Sequence, residues 1–212
     1  MVLADNLIEA SSSVSCMLFF SGILRRVAVK VSKVCNDLRL LASGPRCGLG
    51  EVNLPPMAPG SSIMPGKVNP VIPKVLNMCC FDTIGSDITV CCGAEAGQLE
   101  LNVMEPVIIY KLFTSVLVLT RGMNILRGRC VSGITANRER CHEMVHSSIG
   151  IVTALLPHIG YKKCTEAAAK ALKEKRPVAD IVVELGYLDK AKVEEHLQLE
   201  IMCGPPAKKR KT

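Results

Sequence analysis

Between Pro106 and Leu126 the chain is apolar at nearly every turn, and Val107, Ile108, Leu112, Phe113, Val116, Leu117 and Leu119 leave almost no polar face. A helix of that kind belongs in the centre of a bundle or against other chains, so its neighbours must be helices too. Lys111 breaks the run, and the other long apolar stretch, residues 14–24, stops at Arg25 and Arg26, so neither is expected to span a bilayer. From Leu24 the residues Val27, Val31, Val34, Leu38 and Leu41 follow steps of three and four, with Arg25, Arg26, Lys30, Lys33 and Asp37 between them. That is a coiled-coil-like helix stripe.

The stripe ends at Ser43, Gly44 and Pro45, and from there to Pro73 the chain is dense in Gly and Pro, which forbids continuous regular structure. A connection this long inside an apolar chain is a functional candidate. Helical character returns after Pro70. Past Gly133 the texture changes, with Asn137 placed as N-cap of a helix over residues 138–154, followed by short amphipathic pieces broken at Pro157, Gly160, Pro177 and Gly186. The expected organisation is a helical bundle over residues 1–137, a small helical domain over 138–204 and a basic tail over 205–212.

Composition narrows the function classes. With 49% hydrophobic and 21% charged residues the chain is not disordered, and with 3% aromatics its core is aliphatic. The net charge of +7 is local, because removing Lys208, Lys209, Arg210 and Lys211 leaves +3. A body of that charge lacks the broad basic face of a nucleic-acid binder. Eleven cysteines without a C-x-x-C pair, and Asp5 and Glu9 ahead of the first apolar run, point to reduced thiols in the cytoplasm. The adjacent pairs Cys79–Cys80 and Cys91–Cys92 point about 100° apart on a helix and are read as core filling. His142 to His146 spell H-E-x-x-H, but Ile149 and Val152 stand at the next two positions of the extended zinc-protease pattern, so zinc hydrolysis is set aside and no metal is expected.

The chemistry is concentrated in residues 60–70, GSSIMPGKVNP. Asn69 before Pro70 reads as a helix start, whose first-turn N–H groups and positive dipole end suit an anion. Lys67 adds a full positive charge, Ser61 and Ser62 add hydroxyls, and Gly60 and Gly66 let the backbone swing and approach a ligand closely.

GSSIMPGKVNP is similar to the signature of the fumarase/aspartase superfamily of helical lyases, and Gly66 and Val68 separate it from the argininosuccinate and adenylosuccinate lyases of that superfamily. SKVCNDLRLLASGPR over residues 32–46 is similar to fumarases and aspartases alike. NPVIP over 69–73, AEAGQLELNVMEPVI over 94–108, GITANRE over 133–139, SIGIVTAL over 148–155 and NLIEA over 6–10 resemble the aspartase (aspartate ammonia-lyase) branch. The resemblance runs over residues 6–202 and corresponds to the C-terminal half of a family member.

The resemblance implies an all-α fold, a long-helix bundle of the fumarase/aspartase lyase type followed by a small α-helical C-terminal domain. It implies reversible elimination of ammonia from L-aspartate to give fumarate, without a cofactor, in a cytoplasmic homotetramer that engages neither nucleic acid nor membrane. Ser61 falls on the general base of a mobile loop, and Ser62, Lys67 and Asn69 fall on positions that hold substrate carboxylate. Class II fumarase, acting on malate, and an inactive helical oligomerisation module are the alternatives. Lys74 departs from the pattern, since family members carry an acidic residue there that partners a histidine of the N-terminal half. His146 and Leu156 stand where the family has Asn. Because family sites are assembled from three subunit regions, of which this chain has the last, the chain alone is expected to be catalytically incomplete.

Overall fold

The computed structural model describes residues 2–44, 46–58, 63, 64, 66 and 68–204. Residues 1–137 and residues 138–212 form two compact units. Among the described residues regular structure is helical, except for two-residue strands β1 (Val52–Asn53) and β2 (Thr135–Ala136), paired antiparallel in the first unit. The all-α expectation holds.

In the first unit α1 (Leu7–Ser12) is capped by Asn6, whose side chain accepts the Ile8 and Glu9 N–H groups, both at 3.1 Å. Three long helices follow, α2 (Ser15–Leu41), α3 (Val71–Glu95) and α4 (Glu105–Arg129), with α3 packed against both others. One core cluster joins Ala28 and Cys35 of α2 to Leu76 and Cys80 of α3 and to Leu119 and Leu126 of α4. A second gathers Val14, Val90, Ile108 and Leu112.

The aliphatic stripe of α2 lines the margin of its seam, with Leu24, Val31 and Leu38 half-buried against the core, while smaller residues form the centre. The buried residues of α2 are Ser21, Ala28, Ser32 and Cys35, while Val34 is half-exposed. Small residues let α2 and α3 approach closely, and polar pairs then bridge the gap. Ser21 Oγ donates to Asp87 Oδ1 at 2.7 Å, and Arg25 meets Asp87 Oδ2 at 2.8 Å. Asn77 donates to the carbonyl and hydroxyl of Ser32 and accepts from Arg39. The α3–α4 corner is held by buried Asn102, which donates to the Gly93 carbonyl at 3.0 Å and accepts the Met104 N–H at 2.9 Å.

Helix α4 buries only one face, that of Ile108, Leu112, Ser115, Leu119, Gly122 and Leu126. Tyr110 and Phe113 are 64% and 71% exposed, so two neighbours within one chain leave the rest of this apolar helix uncovered. By length and composition Val71–Glu95 and the segment Glu105–Gly133 are each apolar enough to cross a membrane, although Lys111 breaks the second. Asn77 and Asp87 are buried and bonded across to α2, and Thr83 and Ser86 are buried with them, which is the polar, packed face of a helix in a bundle core.

The core-filling reading of the cysteine pairs holds for Cys80 alone in full. Cys79 is half-buried, and Cys91 and Cys92 lie exposed on the outer face of α3. No disulfide joins any of the eleven cysteines. Burial, with Cys130 and Cys35 respectively as neighbours, pushes the Cys35 and Cys80 thiols up to about 11. From an ordinary thiol value of 9.0 that is roughly a hundredfold less thiolate at mildly alkaline pH. A maleimide at pH 8 should therefore modify Cys16, Cys47 and Cys203 quickly and reach Cys35 and Cys80 only after denaturation. Mass mapping that finds Cys35 labelled in the native chain would contradict this core.

The second unit comprises α5 (Arg138–Ser147), a tighter 3-10 segment (Ile149–Leu155), α6 (Leu156–Ile159), α7 (Tyr161–Glu174), α8 (Val178–Glu184), α9 (Lys190–His196) and α10 (Leu199–Met202). The single helix expected over residues 138–154 is thus broken after Ser147. Ser148 is extended, and its hydroxyl accepts the Gly150 N–H at 3.2 Å, which starts a new segment. The core is Leu155, Ala167, Ala171, Val178, Ile181, Val182 and Val193. On its surface Glu184 links α8 to α7, receiving Lys170 at 2.5 Å and Arg176 at 2.6 Å. Hydrogen bonds from Lys170 and then Arg176 hold its carboxyl below the usual range.

Candidate active site

The glycine- and proline-rich connection is fixed at both ends. At the front, β1 pairs with β2 in the register Val52 to Ala136 and Asn53 to Thr135. The amides of Asn53 and Asn137 clasp each other: Asn53 Nδ2 donates to Asn137 Oδ1 at 2.6 Å, and Asn137 Nδ2 donates back to Asn53 Oδ1 at 3.1 Å. Asn137 also donates to the Gly50 carbonyl at 2.7 Å, and its N–H to the Glu51 carbonyl at 2.9 Å. The Asn137 side chain thus ties the residue before α5 to the ribbon. The Pro55 ring sits where a side chain on Gly133 would be, since a Cβ there would lie 2.6 Å from Pro55 Cγ. Leu54 packs on the bundle core.

At the far end the connection enters α3. Sequence places the helix start at Asn69, whereas the first helical residue is Val71 and Pro70 is its N-cap. The Val71 N–H turns back to the Asn69 carbonyl at 2.8 Å, the Lys74 N–H reaches the Pro70 carbonyl at 3.3 Å, and buried Pro73 has no N–H. Of the first turn's donors these bonds leave the Ile72 N–H, so the amide cup at this helix start is narrower than Asn-Pro spacing implies. Pro70, the N-cap in place of Asn69, has no side-chain bond to the first turn.

Of the site residues expected from sequence, Asn69 is placed at the mouth of α3. Ser61, Ser62 and Lys67 lie outside the described residues, as does Gly60. Gly66 takes φ +78°, the left-handed region that glycine enters freely, so the turn before Lys67 depends on its missing side chain. Ile63 is 86% exposed, an apolar residue carried in the open on the loop. Lys74, in the second turn of α3, is exposed. Among the described residues no group of three or more His, Cys, Asp or Glu is arranged to hold a metal ion.

Comparison with known proteins matches residues 1–85 to the family described as Lyase and residues 151–204 to the family described as Fumarase C C-terminus. The chain is 56% identical over 209 residues to aspartate ammonia-lyase of Helicobacter pylori, covering 99% of this chain and 45% of that protein. To the aspartate ammonia-lyase of Escherichia coli it is 48% identical, covering 97% of this chain and 43% of that one. Among solved structures, fumarate lyase:delta crystallin from Brucella melitensis bound to cobalt superposes with a TM-score of 0.91 at 49% identity, over 97% of this chain and 44% of the other. Class II fumarase from Schistosoma mansoni superposes with a TM-score of 0.87 at 38% identity, over 92% and 41%. Near-complete coverage of this chain by such relatives, together with the helical bundle and the anchored loop, means that the chain belongs to the fumarase/aspartase superfamily of helical lyases and spans less than half the length of the relatives it matches.

Proposed function

We propose that this chain supplies the serine-loop portion of an aspartate ammonia-lyase active site, a carbon–nitrogen lyase that converts L-aspartate reversibly to fumarate and ammonia in the cytoplasm. The observation that carries the reading is an uninterrupted GSSIMPGKVNP between two fixed anchors, in a chain 56% identical to an aspartate ammonia-lyase. The lower identity to the class II fumarase, 38%, favours aspartate over malate.

In this reading Ser61 removes a proton from the carbon beside one carboxylate, the electron pair forms the carbon–carbon double bond, and the carbon–nitrogen bond breaks to release ammonia. Removing so weakly acidic a proton builds a second negative charge on that carboxylate. Catalysis therefore rests on donors aimed where charge grows, a role for Lys67, Ser62, Asn69 and the N-terminal end of α3. A serine hydroxyl is a base only while its alkoxide is stabilised, and Lys67 six positions away is the cation for that purpose. Phe81, Ile88, Tyr110 and Phe113 are exposed on α3 and α4, and we read these faces as covered by other subunits of a homo-oligomer.

Lys74 favours a second reading, an inactive helical module that joins lyase assemblies. The two separate in one experiment: the chain is mixed with the N-terminal half of a bacterial aspartate ammonia-lyase, and fumarate absorbance is followed from aspartate and from malate. Fumarate from aspartate is expected, with Lys74→Glu raising the rate about tenfold, since a carboxylate there restores an acidic partner worth roughly one pKa unit to a neighbouring imidazole. Turnover of malate alone moves the reading to fumarase. Association without turnover of either substrate, unrelieved by Lys74→Glu, establishes the module.

A further inference from the structure

Helix α5 carries two of the chain's four histidines one turn apart, and the lyase reading uses neither. His142 and His146 have ring centroids 4.0 Å apart with planes inclined at 42°. His142 is exposed and His146 half-buried. Two imidazoles four positions apart on a helix share a face, and ring planes this inclined intersect close to the rings, so that one ion can lie in both planes. Donors bound 2.0–2.1 Å from one ion in neighbouring coordination positions are roughly 3 Å apart, a spacing within the range of side-chain rotation for rings whose centroids are 4.0 Å apart.

The other histidine pair is a contrast within the same unit. His158 and His196 stack with centroids 3.6 Å apart and planes only 9° from parallel. Planes so nearly parallel meet only far outside the rings, so no ion within bonding distance can lie in both. Proximity alone thus does not make a chelate, and the His142–His146 pair adds inclined planes and a shared helix face.

We propose that His142 and His146 form a two-imidazole chelate for a borderline divalent transition ion, Zn²⁺, Co²⁺, Ni²⁺ or Cu²⁺. Nitrogen donors select these ions over Mg²⁺ and Ca²⁺, which prefer oxygen. Among the described residues no third His, Cys, Asp or Glu completes the set, so water fills the remaining positions and the site is a binding site, not a hydrolytic centre. Glu139 and Glu143 lie on the same helix face by spacing, Glu143 within 4.0 Å of Arg140, and add acidic character. The consequence is local. Helix α5 has ten residues and none of them is buried, so packing holds it weakly, and a metal bridging adjacent turns acts as a staple.

The test titrates ZnCl₂, and separately MgCl₂, into the full chain labelled at histidine, following the four imidazole signals by NMR and the heat by calorimetry. One equivalent of Zn²⁺ should shift His142 and His146 at micromolar concentration and leave His158 and His196 in place, while Mg²⁺ moves none. His142→Gln and His146→Gln, exposed enough to keep the fold by circular dichroism, should each weaken that binding at least tenfold. Unmoved His142 and His146 signals up to about millimolar Zn²⁺, equal response of all four histidines, or undiminished binding in both variants would overturn the proposal. Thiol-bound zinc gives heat without moving these two signals and counts against it in the same way.

Discussion

Ser61→Ala should lower fumarate formation by the complemented protein about 10²–10⁴-fold, the range a positioned general base contributes. In transition-state terms that is roughly 3–5 kcal/mol. The loss should fall on kcat and kcat/KM together, because the hydroxyl acts on a proton whose removal defines the transition state, and the neighbouring Ser62, Lys67 and Asn69 still bind the ground-state carboxylates. Association of the halves should be unchanged, since the loop's anchors at Asn53–Asn137 and Val71 do not involve Ser61. A Ser61→Ala protein with full turnover would remove Ser61 from the chemistry while leaving the family assignment untouched.

Arg25→Met should destabilise the first unit by about 2–3 kcal/mol, read from the urea midpoint. The argument is one of asymmetry. Asp87 is 3% exposed at its side chain and Arg25 is 55% exposed. Removing the arginine leaves a buried carboxylate with the Ser21 hydroxyl as its remaining described partner, and a buried charge that loses its counter-ion is costly. Asp87→Leu removes the charge instead. Arg25 then extends into water and Ser21 Oγ turns to its own helix backbone, so the cost should stay near 1 kcal/mol. Equal costs for the two substitutions would mean that the pair is worth no more than an exposed salt bridge.

The helical architecture was legible because spacing by three and four and the near-continuous apolar stretch after Pro106 admit few other folds. The α2–α3 seam was not, because Ser21, Ser32, Asn77 and Asp87 do not count as apolar and declare themselves only when paired across two helices. Local chemistry misplaced the start of α3 by a residue or two: Asn-Pro is a good cap, yet the Asn69 carbonyl takes the Val71 N–H and Pro70 becomes the cap. Apolar patterning likewise ran past Ser148, whose hydroxyl closes its own turn. The candidate site was legible as a motif, GSSIMPGKVNP, because its residue types are few and ordered. Its support was hidden, since Asn53 and Asn137 lie 84 positions apart and neither signals its partner.

That separation bears on the order in which the chain acquires its shape. Helices α3 and α4 draw on neighbouring residues and a short corner at Asn102, so they form from local contacts. The β1–β2 pair instead closes a circuit enclosing the loop and both helices, an entropic cost recovered only after the helices have shortened the path. During synthesis the front anchor of the motif stays unfastened until Thr135, Ala136 and Asn137 leave the ribosome, by which time the bundle beneath it can already stand. The part of the first unit that carries the lyase signature is thus the part whose foundation is laid last.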